Sequence, residues 1–144
     1  MPTPANRVKH FLFGPYKDEP IATILSTRIK GKPYSWTDRE SQANNIALSG
    51  NYIYVVEVDL IGGFREYKLG YYFKANTVVP ITGGKMNFKI QSSSVPDGMY
   101  LNTPIKLTGL ADAWVRKPSQ GMPSIPDDVV SEIDAIFSSS GKPF

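Results

Sequence analysis

Hydrophobic and polar positions alternate most regularly from Tyr52 to Leu60. There Tyr52, Tyr54, Val56, Val58 and Leu60 interleave with Ile53, Val55, Glu57 and Asp59. A period of two marks a strand, and Glu57 and Asp59, carrying charge on alternate positions, read as its solvent side. Upstream the period changes: Ala43, Ile46 and Ala47 form one apolar stripe at helical spacing, closed by Gly50, a natural left-handed stop. Thr37 and Glu40 have capping-box spacing, so Thr37 is expected to cap this helix, with Asp38 and Glu40 facing the positive end of its dipole. Tyr34-Ser35-Trp36 reads as a short strand leading into it.

The same reading extends to both sides. Val8–Phe13 is an apolar strand ended by Gly14-Pro15. A helix over residues 20–29 presents Ile21, Ile24, Leu25 and Ile29 on one side, with Pro20 in its first turn and Gly31 and Pro33 after it. Beyond Leu60 helical periodicity disappears. Gly62-Gly63 signals a hairpin, and Phe64–Phe73 would place Tyr67, Leu69, Tyr71 and Phe73 on one face. Thr77–Ile81 is strand-like, with Pro80 ending it early or holding it at an edge. Gly83-Gly84 turns into Lys85–Ile90, and shorter strands are expected at Tyr100-Leu101 and Ile105–Leu110. Residues 117–126 read as a loop. Asp127–Ser138 is a closing helix with Val129, Val130, Ile133, Ile136 and Phe137 inward and its four acids outward. The fold class is therefore α+β: one compact domain over residues 1–144, with two N-terminal helices, a β-rich second half and a C-terminal helix. Residues 1–6 and 139–144 read as frayed tails.

Composition narrows the chemistry. With 144 residues the chain can bury one core unaided, and without cysteine it has neither disulfides nor thiolate chemistry. The single histidine excludes the common zinc sites, so no metal is expected. The P-loop and Gly-x-Ser-x-Gly patterns are absent. The Phe11–Phe13 run is too short for a signal sequence or a membrane span, which reads as a soluble chain, cytoplasmic or delivered by a specialised secretion route. The net charge of +3 is unevenly spread. Basic side chains concentrate in residues 1–33 and 61–106, acidic ones in 34–60 and 124–144. The basic segments would attract phosphates if they shared a face, although none is dense enough to mark a nucleic-acid patch.

The order of the first sixty residues, HFLFG, then PIATILSTRI, then YSWT with DRESQANNIA, then NYIYVVEVDL, resembles the opening of the ADP-ribosyltransferase-like fold, including NAD-consuming toxins. The resemblance implies a split sheet and NAD as substrate. His10 or Arg7 would hold the adenosine-side ribose or the backbone, and Tyr34, Ser35 and Thr37 would frame the nicotinamide. Breaking the nicotinamide–ribose bond builds oxocarbenium character, which calls for aromatic walls, hydrogen-bond anchors and a carboxylate near the ribose. Family members carry that carboxylate on a later strand, where this chain has Gln91 after Met86–Ile90. Asp97 is taken as the substitute, with Asp112 and Glu66 as alternatives.

On this reading the chain is a toxin or effector domain that transfers ADP-ribose to a protein or nucleic-acid acceptor, or hydrolyses NAD. A cognate immunity or inhibitor protein is an expected partner. Two other readings fit the residues. One is a non-enzymatic, β-rich binding or structural module, phage- or secretion-associated, whose aromatic face and basic segments serve a partner. The other is a small basic ribonuclease-type toxin in which His10 and nearby lysines act on phosphates.

Overall fold

The computed structural model describes residues 7–13, as backbone, together with 33–80, 88–117 and 122–144. The expected helix over 20–29, the Gly83-Gly84 turn and residues 1–6 lie outside the described residues.

A mixed five-stranded sheet runs through the middle of the molecule, in the order β1 (Arg7–Phe13), β3 (Tyr52–Ile61), β4 (Phe64–Lys74), β7 (Gly98–Lys106), β8 (Lys142–Pro143). Only β1 and β3 run parallel; the other neighbours are antiparallel. A second, three-stranded antiparallel sheet has the order β2 (Tyr34–Thr37), β6 (Phe88–Gln91), β5 (Thr77–Pro80). Helix α1 (Glu40–Ser49) packs on it. Helices α2 (Gly109–Val115) and α3 (Asp127–Ser140) pack against each other, and α3 also against β7. The fold class is α+β, with its strands divided between two sheets.

Two buried clusters separate these layers. The first joins Ile53, Val55, Tyr71 and Phe73 of the central sheet to Tyr34, Trp36 and Ile90 of the small sheet and Ala43 and Ile46 of α1. The second joins Tyr54, Val56, Val58, Tyr67 and Leu69 to Ala111 and Val115 of α2 and Val129, Val130, Ile133 and Phe137 of α3. Along β3 the alternation holds as expected. Along β4 it does not: Tyr67 and Leu69 belong to one cluster, Tyr71 and Phe73 to the other. The reason is a bulge. Val55 pairs with Tyr71 and Val56 with Leu69, which leaves Gly70 without a partner across the ladder and reverses the inside-outside order beyond it.

Several local expectations are corrected in the same way. Thr37 ends β2, and α1 begins at Glu40 with Arg39 as its N-cap residue. Thr37 Oγ1 instead accepts the Arg39 amide at 3.2 Å and donates to Gln42 Oε1 at 2.8 Å, a turn that competes with the capping box. Gly50 does stop α1 in the left-handed conformation. Pro80 does end β5, an edge strand. Residues 98–106 form one strand, and the stretch expected as strand to Leu110 enters helix α2 at Gly109, whose φ is +60°.

Residues 139–144 are not a frayed tail. Ser139 and Ser140 complete α3, Lys142 and Pro143 pair with Tyr100 and Met99, and Phe144 meets Tyr71 edge-on with ring centroids 6.0 Å apart. Nor do all four acids of α3 face water. Asp134 is buried and accepts the Tyr54 hydroxyl at 2.7 Å, and Glu132 accepts the Ala111 amide at 2.8 Å, so it holds the first turn of α2 against α3.

Candidate functional site

The residues expected to frame a nicotinamide are part of the core. Tyr34, Ser35 and Thr37 are buried, at 6%, 0% and 5% exposure. Tyr34 stands edge-on to Trp36, lies under the Lys89 ammonium at 3.9 Å, and its carbonyl accepts the Tyr71 hydroxyl. β2 therefore ties the small sheet to the central one. Arg7 and His10 lie on β1, in the other sheet, at the register positions of Tyr52 and Val55.

Asp97 is exposed and is not grouped with Tyr34. Its carboxylate accepts the Tyr52 hydroxyl at 2.6 Å, and the Tyr52 ring packs with the second cluster, on the opposite face of the sheet from Tyr34. Partial burial, with Asp97 beside it, pushes the Tyr52 hydroxyl up to about 12. Tyr72, 6.1 Å away between ring centroids, is also raised, by burial first and by the charges of Asp134 and Asp97 next. Of the other carboxylates considered, Asp112 holds Arg116 at 2.8 Å in one turn of helix, and Glu66 lies on the β3–β4 hairpin.

That hairpin brings exposed apolar and charged side chains together. Gly62 and Gly63, with φ of +58° and +84°, form the two-residue turn that the twist of paired strands favours. They set Ile61 directly opposite Phe64. Opposed residues share a face, so these two side chains form one apolar knob. It is exposed: Phe64 at 80% and Ile61 at 51%. Beside the knob is a hollow of about 200 Å³ lined by Ile61, Phe64, Arg65, Glu66, Lys106 and Arg116. Arg116 is held in place, by Asp112 on one side and by the Tyr67 ring 5.0 Å away on the other.

Behind the hollow the charges alternate in sign. Lys68 reaches Asp59 at 3.2 Å and Glu66 at 3.8 Å, and its bond to Asp59 holds the ammonium above its usual range. Lys68 stands opposite Glu57 on one side and Lys106 on the other. Glu57 is buried, at 8% exposure, which corrects its reading as a solvent-side residue: this face of β3 is the one that carries Ile53 and Val55 into the first cluster.

The hollow offers cations, one carboxylate and apolar surface. Among the described residues its lining contains no serine, threonine, histidine or tyrosine to act as nucleophile or proton shuttle. No group of carboxylates and histidines suited to a metal occurs among the described residues. Nor do they include a helix long and apolar enough to cross a membrane. The hairpin turn was legible in Gly62-Gly63, but its role was not. The available signal was the pair of bulky apolar residues flanking the turn, where hairpin tips are ordinarily polar. Comparison with models of known families, with curated proteins and with solved structures gives no match to this chain.

Proposed function

We propose that this chain is a binding domain that docks a partner at the hairpin end of its central sheet. The observation that carries the reading is the Ile61–Phe64 knob, exposed on a glycine-fixed turn beside a hollow edged with charges. Two large apolar side chains left in water on either side of a two-residue turn gain little for folding, and they gain by being covered. Aromatic and arginine side chains around such a knob are the types that dominate the energetics of contact surfaces.

The test uses 8-anilinonaphthalene-1-sulfonate, which joins an aromatic body to a fixed negative charge. The native protein is expected to enhance its emission; Phe64→Ser is expected to remove most of that enhancement without moving the melting temperature, and Arg116→Glu to remove most of it in a variant that is still folded. Enhancement that both variants retain would place the dye elsewhere and remove the support for the site.

A second reading, NAD-dependent ADP-ribosyl transfer or NAD hydrolysis, follows from the family resemblance, and one observation favours it. Glu57, a buried carboxylate, stands two positions along β3 from Val55, the register partner of His10. It is a better-placed acid than Asp97 for a site built on β1. Nicotinamide release from NAD by the purified protein, abolished by His10→Ala and by Glu57→Gln in folded variants, is the expected result on this reading. No release with or without a cell lysate as acceptor source would end it.

A further inference from the structure

Asp97 and Gly98 form the only Asp-Gly pair in the sequence, and the fold constrains both halves of it. Glycine is obligatory at position 98, because a Cβ there would lie 2.0 Å from the Tyr72 carbonyl oxygen. Lacking that Cβ, Gly98 also leaves its amide nitrogen unshielded, which makes an aspartate before it prone to attack on its own side chain. Asp97 is exposed, so water reaches it. Its carboxylate is nevertheless held: the Tyr52 hydroxyl donates to it at 2.6 Å, within the short range of hydroxyl bonds to a carboxylate. Tyr52 belongs to β3, and β4 separates β3 from β7, so the bond ties the Asp97 side chain to a strand two places away. The Asp97 carbonyl in turn accepts the Lys74 amide at 2.7 Å. With the backbone fixed, the side-chain torsions that would carry the carboxyl carbon to the Gly98 nitrogen are what the Tyr52 bond restricts. We infer that Asp97 is a covalent modification site, where the chain rearranges to an isoaspartyl link through a cyclic imide, and that the Tyr52 hydroxyl is the latch that holds the reaction back. The inference is independent of the binding reading above.

The reaction needs no co-reactant but water. The side chain reacts as the neutral acid: the Gly98 nitrogen bonds to Asp97 Cγ, the bond from Cγ to the hydroxyl oxygen breaks, and the hydroxyl leaves as water with the amide proton. Water then adds to the imide. Opening at Cγ returns aspartate, while opening at the main-chain carbonyl carbon leaves the chain running through Cγ and turns the former main-chain carbonyl into a free carboxylate. Nothing is oxidised or reduced, and the product has the composition of the starting chain. Its geometry differs. The backbone gains a carbon at the start of β7, where Gly98 stands opposite Phe73, and the carbonyl that accepts the Lys74 amide is lost from the main chain. The Gly98 carbonyl also accepts the Phe144 amide at 3.4 Å, so the change loosens the segment that brings Phe144 over Tyr71 and Tyr100.

Incubation of the full chain in heavy-oxygen water at neutral pH tests this, read by mass spectrometry of the peptide that contains Asp97. Each passage through the imide leaves a heavy oxygen there, and electron-transfer fragmentation separates the isoaspartyl from the aspartyl product. The native protein is expected to convert at least several-fold more slowly than the chain unfolded in guanidinium. Tyr52→Phe, still folded, is expected to convert at least several-fold faster than the native protein. Tyr54→Phe removes a different hydroxyl from the same strand and leaves the Tyr52 bond to Asp97 in place, so it is expected to convert at the native rate. Equal rates in the native protein and Tyr52→Phe overturn the latch. Equal acceleration by Tyr54→Phe overturns it too, by assigning the effect to lost stability. A native protein that converts as fast as the unfolded chain overturns it without any variant. No heavy oxygen at Asp97 even in the unfolded chain overturns the modification site itself.

Discussion

The two ends of the central sheet use the same residue types in opposite ways. At the end where β3 starts and β4 finishes, aromatic and aliphatic side chains are closed in. Phe73 and Ala75 are buried, Tyr52 is tied to Asp97, and Phe144 returns from the far side to cover Tyr71 and Tyr100. At the hairpin end the same two strands leave Ile61 and Phe64 in water and surround them with charge. The first end spends its apolar surface on the fold. The second leaves it exposed. Apolar content alone does not distinguish the two, since both present aromatic side chains; what separates them is whether a later segment of the chain comes back to cover them.

The contrast can be broken hardest at the closed end. A Cβ at Gly98 would lie 2.0 Å from the Tyr72 carbonyl oxygen and 2.7 Å from the Phe73 Cα, backbone that cannot step aside. Gly98→Ala is expected to cost about 3 kcal/mol or more, read as a lowered urea midpoint. Next in size is Tyr54→Phe, which removes the hydroxyl that Asp134 accepts in a buried setting. A loss of about 2 kcal/mol by denaturant unfolding is expected. No loss would mean that the bond holding α3 to the sheet contributes nothing net.

The closed end should also respond to alkali. The Tyr52 hydroxyl rises from 10.0 to about 12 on folding, so the unfolded chain gives up this proton first. The stability linked to it is fully present below pH 10 and is lost progressively as pH rises toward 12. Tyr52→Phe should make the decline between those pH values shallower, measured as urea midpoints at pH 9 and pH 11. An identical decline in the variant would assign the alkaline sensitivity to other tyrosines. The smallest effect belongs to the open end. Phe64→Ser is expected to leave folding stability within about 0.5 kcal/mol while removing dye binding. A larger loss of stability would mean that the knob serves the fold, and the contrast between the two ends would fail.

Much of the frame was legible in the sequence, for identifiable reasons. β3 could be read because it alternates without interruption, α1 because Gly50 stops it, the hairpin because two adjacent glycines supply the positive φ that its turn needs. α3 could be read from its inward stripe. What was not legible depends on contacts distant in sequence. Glu57 carries charge, and charge on an alternating strand suggests water, but the cover over that face comes from other segments. Asp134 lies one turn from Val130 on the buried side of α3, and the Tyr54 hydroxyl that helps make a buried carboxylate tenable there arrives from another layer. The tail reads as loose because its own composition is polar, while its order comes from pairing with β7. The site was the least legible part. Tyr34, Ser35 and Thr37 have the residue types of a binding motif and the surroundings of a core.

The unpartnered Gly70 has a consequence for how tolerant this chain is to small errors in its length. Along a strand, inside and outside are assigned by counting, much as codons are assigned by a reading frame, and Gly70 is a built-in shift of that frame by one. Deleting it would leave every downstream residue chemically unchanged and yet exchange Tyr71 and Phe73 with Tyr72 across the sheet, so that each layer would receive the other's side chains. A single missing residue there would do more harm than most substitutions, and a second shift a few positions later would be the natural place to find its suppressor.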